Sequence, residues 1–327
     1  MIGGAIRVLM PAMRHTFPTL LLWVAAGMAA AADIPVPATL RESLAVDEAA
    51  LARAGLEISW RLALPMRPAE QVTRVSLLDE HLYALTDRGE LFAIRAESGL
   101  VRWQRPIIRP GDVLFPLTHA AAEQGLGPVV ATTPAWVAIL DRETGREIPF
   151  VDPQTGQKRE NLSLDTAPNT SMVADANYLY GAMVNMQFVA YQRKDGFVRW
   201  TIGAGATASI APRLLPGRVL FASDKGRFVM VSTEGADIGM VVWKDQVATA
   251  PLERVIGLTS RQREKLWPKE ATTTPIEPLF VSPTHLIFAA MDQIVYSIDP
   301  RTGPVEGQVR WRHGLTRRPS EGPAVVG

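Results

Sequence analysis

The chain has 327 residues, 47% of them hydrophobic, and its 34 Lys and Arg nearly balance 33 Asp and Glu. That length buries one large core or two medium ones, and the balanced charge argues against a nucleic-acid binder or a polyacidic tail. Cysteine is absent, which excludes disulfides, thiol catalysis, cysteine metal sites and a lipid attached at an N-terminal cysteine.

Residues 1–32 read as a secretory signal peptide. Arg7 and Arg14 supply positive charge, "PTLLLWVAAGMAAAA" supplies an apolar run, and Ala30-Ala31-Ala32 precedes Asp33 with small residues. The run is shorter than the roughly 20 residues a membrane-spanning helix needs, so cleavage is expected after Ala32, within two residues, leaving a periplasmic or secreted chain without a membrane span. Residues 33–54 follow as a linker with a short helix at "DEAALARA" (47–54), stopped by Gly55.

From residue 55 to 327 the sequence repeats. A glycine is followed by a tryptophan at Gly99 and Trp103 ("GLVRW"), Gly196 and Trp200 ("GFVRW"), Gly239 and Trp243 ("GMVVW"), and Gly307 and Trp311 ("GQVRW"). Looser copies run from Gly55 to Trp60 and from Gly145 to Phe150. The aromatic positions step by 43, 47, 50, 43 and 68 residues. Each copy follows β-branched and aromatic runs separated by polar turns, as in "HLYALTD-RG-ELFAIRA-ESG-LVRWQRPI", with a leading strand such as "VTRVSLL". Four antiparallel strands every 40–50 residues predict an all-β fold, a β-propeller. Five copies are recognisable, and a closing blade is incomplete. "LEISWRLALP" reads as its outer strand and "SEGPAVVG" as its inner one, with two middle strands lacking, so the chain is expected to be truncated at its C-terminus. The long last step is an insertion over 250–280, in which "TSRQREKLWP" carries a capping pair, Thr259 and Gln262, and Pro268 as a stop, predicting a helix near 259–267.

The spacing of Ala93, Gly99 and Trp103, and of Ala190, Gly196 and Trp200, resembles the PQQ-like repeat of quinoprotein dehydrogenases and of the outer-membrane assembly propeller. The acidic position of that repeat is held by Asp141 and Asp299, but is Arg95, Gln192 and Ser232 elsewhere. The resemblance implies blades that dock through Trp60, Trp103, Phe150, Trp200, Trp243 and Trp311, with Gly99, Gly145, Gly196, Gly239 and Gly307 in the turns. Cofactor-binding relatives are larger and hold a metal-bound quinone, often beside a cysteine pair, which is impossible here. The shorter chain is more similar to the non-enzymatic members, which implies a binding platform with no cofactor.

Candidate sites are sparse. His15, His81, His119, His285 and His313 form no ligand spacing such as HxxxH, and no calcium loop occurs, so no metal, catalytic or cofactor residue is assigned. "GAGATAS" (203–209) lacks the helix and lysine of a phosphate loop and reads as a linker. Arg310, Arg312, Arg317 and Arg318 form a basic stretch, either a charge-protected strand edge or a candidate partner surface. The expected function is a non-catalytic protein-binding or scaffold module of the bacterial envelope, its partner another envelope protein. The alternatives are a quinoprotein dehydrogenase, whole or in part, and a carbohydrate-binding propeller.

Overall fold

The computed structural model describes residues 5–11, 48–121, 126–208, 210–246, 274–282, 284–299, 309–317 and 319–320. Two units divide the chain, Met1–Val113 with the turn Glu143–Gly145, and Leu114–Arg142 with Arg146–Val325.

In the first unit, β1 (Ala5–Pro11) pairs antiparallel with β2 (Leu56–Ala63), preceded by helix α1 (Glu48–Arg53). β1 lies inside the segment read above as a signal peptide. β3 (Val72–Leu78), β4 (His81–Thr86), β5 (Glu90–Arg95) and β6 (Val101–Pro106) form a four-stranded antiparallel sheet in chain order. Both faces of β4 and most of β5 are buried, which explains why these strands read as nearly continuous apolar runs. Leu82, Ala84, Phe92 and Ile94 form the core there with Trp60, Leu62 and Leu77 against it.

The second unit repeats this sheet four times among the described residues. Three follow chain order: β13 (Val173–Ala174), β14 (Tyr178–Met183), β15 (Gln187–Gln192) and β16 (Val198–Gly203); then β17 (Arg213–Leu215), β18 (Arg218–Ala222), β19 (Arg227–Ser232) and β20 (Val241–Gln246); then β21 (Pro275–Val281), β22 (Leu286–Ala290), β23 (Ile294–Ile298) and β24 (Val309–Gly314). The remaining sheet departs from chain order. β7 (Thr118–Ala121), β8 (Leu126–Thr132) and β9 (Trp136–Leu140) take β12 (Asn161–Ser163) as their last strand, because the hairpin of β10 (Phe150–Val151) and β11 (Lys158–Arg159) intervenes.

Alternating side chains put each middle sheet between two neighbours. Leu179, Met183, Val189 and Tyr191 face Val137, Ile139 and Leu162 of the preceding sheet. Tyr180, Ala182, Phe188 and Ala190 face Val219, Phe221, Val229 and Val231 of the next. Phe188 and Phe221 stack with centroids 4.3 Å apart. Leu220, Phe228 and Met230 then meet Leu286, Phe288 and Tyr296. A sheet of this size cannot bury two apolar faces alone, so stacking supplies the stability that missing disulfides do not.

The repeated Gly-to-Trp spacing hides a β-bulge. Ala93 opposes Trp103 but Ile94 opposes Val101, so Arg102 is extra. The same shift recurs between Ala190 and Tyr191, Met230 and Val231, and Ser297 and Ile298, making Arg199, Val242 and Arg310 the extra residues. A bulge bends and twists the strand, which re-aims the tryptophan that follows.

Buried phenols complete the core. The Tyr180 hydroxyl donates to Asp175 Oδ2 at 2.6 Å, and Asp175 Oδ1 also accepts from the backbone of Asn177 and Tyr178. Burial, and then the Asp175 carboxylate, push the Tyr180 hydroxyl far above the usual phenol range. Near pH 10 the unfolded chain begins to release this proton while the folded chain keeps it. Stability should therefore hold below about pH 10 and fall above it, by up to about 1.4 kcal/mol per pH unit for this group. Urea midpoints between pH 9 and 11 check this; Tyr180→Phe should flatten the decline, and an unchanged slope would refute it.

Candidate partner-binding surface

Three of the repeat tryptophans rest on turn glycines of the following copy. A methyl group built on Gly99 would sit 2.7 Å from Trp60 Cδ2, one on Gly145 2.6 Å from Trp103 Cδ2, and one on Gly239 2.6 Å from Trp200 Cδ1. Close seating leaves no room for a side chain on the glycine. Trp60 additionally donates its indole N–H to the Ala96 carbonyl at 2.8 Å. Trp200 presents a different ring edge, and its buried Nε1 has no hydrogen-bond partner among the described residues. The seat at Gly196 is filled by Leu162 Cδ1, 2.5 Å from such a methyl, and not by Phe150. Phe150 is fully buried, but on the intervening hairpin β10–β11. Trp311 is 45% exposed. The Trp243 side chain, Gly307, Arg318 and the helix expected near 259–267 lie outside the described residues.

The basic stretch divides. Arg310, the bulge residue of β24, donates through Nε (3.1 Å) and Nη2 to Asp299 Oδ2, whose side chain is only 2% exposed. Arg312 and Arg317 are exposed. Of "GAGATAS", residues 203–208 leave β16 and Ser209 lies outside the described residues; Arg213 beyond it opens the strand β17, not a helix.

Exposed apolar side chains mark a surface that the repeat pattern does not single out. The β14–β15 hairpin turns through Val184, Asn185 and Met186, with Val184 52% and Met186 49% exposed. Met186 has φ +61°, a left-handed conformation that the matching turns of other sheets give to Gly89, Gly226 and Gln293. Such a conformation costs a non-glycine residue about 1–2 kcal/mol. An exposed methionine in a strained turn does nothing for the core. The available signal was "MVNMQ" standing where two other copies read Asp-Arg-Gly and Asp-Lys-Gly.

The described residues contain one grouping of three metal-type donors, Glu80, His81 and Glu143. No helix among them is long and apolar enough to cross a membrane.

Among solved structures, the chain is similar to Sqt1 of Saccharomyces cerevisiae, with a TM-score of 0.52 at 14% identity over 80% of this chain and 68% of that one. BamB of Moraxella catarrhalis aligns at a TM-score of 0.46 and 17% identity over 82% of this chain and 70% of that one. The Cps50 (Swd1) beta-propeller domain of Myceliophteria thermophila aligns at 0.49 and 10% identity over 76% and 73%. None of the curated proteins matches the chain in sequence. Residues 133–325, more than half the chain, match the family described as outer membrane protein assembly factor BamB. The repeated four-stranded antiparallel sheets agree with that match, and the chain belongs to this family of β-propellers.

Proposed function

We propose that the chain is an exported, non-catalytic propeller that docks a protein partner in the cell envelope. The observation that carries this is the β14–β15 tip, where Val184 and Met186 are exposed and Met186 holds a left-handed turn. Strain and exposed apolar surface that cost stability are retained where a surface has work to do. The family description names outer-membrane protein assembly, which supports an envelope setting. The signal-peptide reading of residues 1–32 supports it independently. Removal of that segment takes β1 with it and opens one edge of β2.

Met186→Gly tests the reading. It relieves the left-handed strain, so it should raise stability by about 0.5–1 kcal/mol in urea denaturation. It should also weaken partner capture, measured by photocrosslinking in living cells from residue 184. The expected result is one discrete envelope-protein adduct, from a chain whose mature N-terminus is near Asp33. Diffuse adducts equal to those from exposed Val75, or a chain retained in the cytoplasm with residue 1 intact, would overturn it.

A further inference from the structure

We propose that Glu80, His81 and Glu143 bind a divalent first-row transition ion, of the zinc type. The ligand atoms of these three residues all lie within 4.8 Å of one another, although Glu143 follows His81 by 62 positions in the sequence. Glu80 ends the β3–β4 turn, His81 opens β4, and Glu143 sits in the turn that carries Gly145. All three belong to the first unit.

The histidine is the fixed member. Its side chain is 2% exposed, with Nδ1 3.9 Å from Glu80 Oε1. Its ring stacks on Tyr83 with centroids 6.0 Å apart and planes 23° from parallel. The carboxylates are the mobile members, with side chains 56% exposed for Glu80 and 45% for Glu143. Donors around a tetrahedral ion with bonds of about 2.1 Å stand about 3.4 Å apart. Swinging two half-exposed glutamates by roughly an ångström closes that gap, and the same exposure gives the ion its entry path.

The donor set decides the class of ion. One imidazole nitrogen with two carboxylate oxygens suits zinc, cobalt or nickel, whereas calcium and magnesium want oxygens throughout. Three protein ligands leave a position for water. Arg102 is the competitor, because its guanidinium pairs with Glu143. Two carboxylates against one guanidinium still leave negative charge for a cation. Repeat packing does not demand Glu80, since the residues matching Glu80 and His81 are Asn177 and Tyr178, Gly217 and Arg218, and Thr284 and His285 in three other sheets.

The test titrates the metal-free exported protein with Co2+ and Zn2+ alone. Saturable 1:1 binding is expected, with cobalt d–d bands of a nitrogen–oxygen site and a rise in melting temperature with Zn2+. Glu143→Gln and Glu80→Gln, on exposed side chains that folding tolerates, should each weaken binding at least tenfold. His313→Asn, on an exposed histidine of β24, should leave it unchanged. Arg102→Gln frees Glu143 and should tighten binding. No saturable binding, or a Glu143→Gln protein that binds like the parent, would overturn the proposal, as would loss of binding in Arg102→Gln.

Discussion

Trp103→Ala is expected to destabilise the protein by about 4 kcal/mol. The ring is 8% exposed, lies on the Gly145 turn and meets Tyr83 at 6.1 Å between centroids. Truncating a buried aromatic removes its transfer energy and leaves a cavity, which together cost about 3–5 kcal/mol. Approached from the other side, Gly145→Ala should cost about 3 kcal/mol. Its new methyl would meet the ring at 2.6 Å, and φ is +69°. The two losses should not add. Without the ring the methyl has room, so the double variant adds only the left-handed penalty to the Trp103→Ala loss, and a coupling of about 1–2 kcal/mol is expected. Urea unfolding of the two single variants and the double gives all three numbers. A Trp103→Ala protein within 0.5 kcal/mol of the parent would remove the ring from the packing.

Arg310→Ala should cost about 2–3 kcal/mol, the second large effect. It leaves the Asp299 carboxylate, 2% exposed, without the guanidinium that now bonds it. Breaking a fully buried pair costs about 3–5 kcal/mol, and the 36% exposure of Arg310 reduces that figure. Arg312→Ala and Arg317→Ala remove exposed cations and should stay within about 0.5 kcal/mol. Thermal and urea melts of the three separate a strand-locking arginine from solvated ones. Equal melts would return Arg310 to the candidate partner surface.

The sequence reveals the fold through local signals. Val72–Leu78 and Glu48–Arg53 lie within the stretches that their runs and stop signals predict. Trp60, Trp103 and Trp200 sit against Gly99, Gly145 and Gly239 of the following repeat, and the near-regular recurrence of glycine and tryptophan makes that visible in the sequence. Leu162 escaped notice because β10 and β11 intrude before β12, and "GREIPF" imitates the motif without forming the last strand. Leu162 and its neighbours carry no aromatic to betray them. Glu80, His81 and Glu143 were illegible for another reason. Their approach depends on how two turns fold, and a separation of 62 positions leaves no spacing to read. Met186 was not singled out, because its left-handed conformation is a property of the backbone.

The bulge ahead of Trp103, Trp200, Trp243 and Trp311 makes the last strand a measuring device with an odd count. Deleting Arg102 alone would leave Trp103 opposite Ala93 and Val101 opposite Ile94, so the indole would keep its face, but the bend and extra twist that aim it at the Gly145 turn would be lost. Loops here can lengthen, as the hairpin β10–β11 shows, and the copy from Gly55 to Trp60 carries one residue more than the pentapeptide while its ring still seats on Gly99.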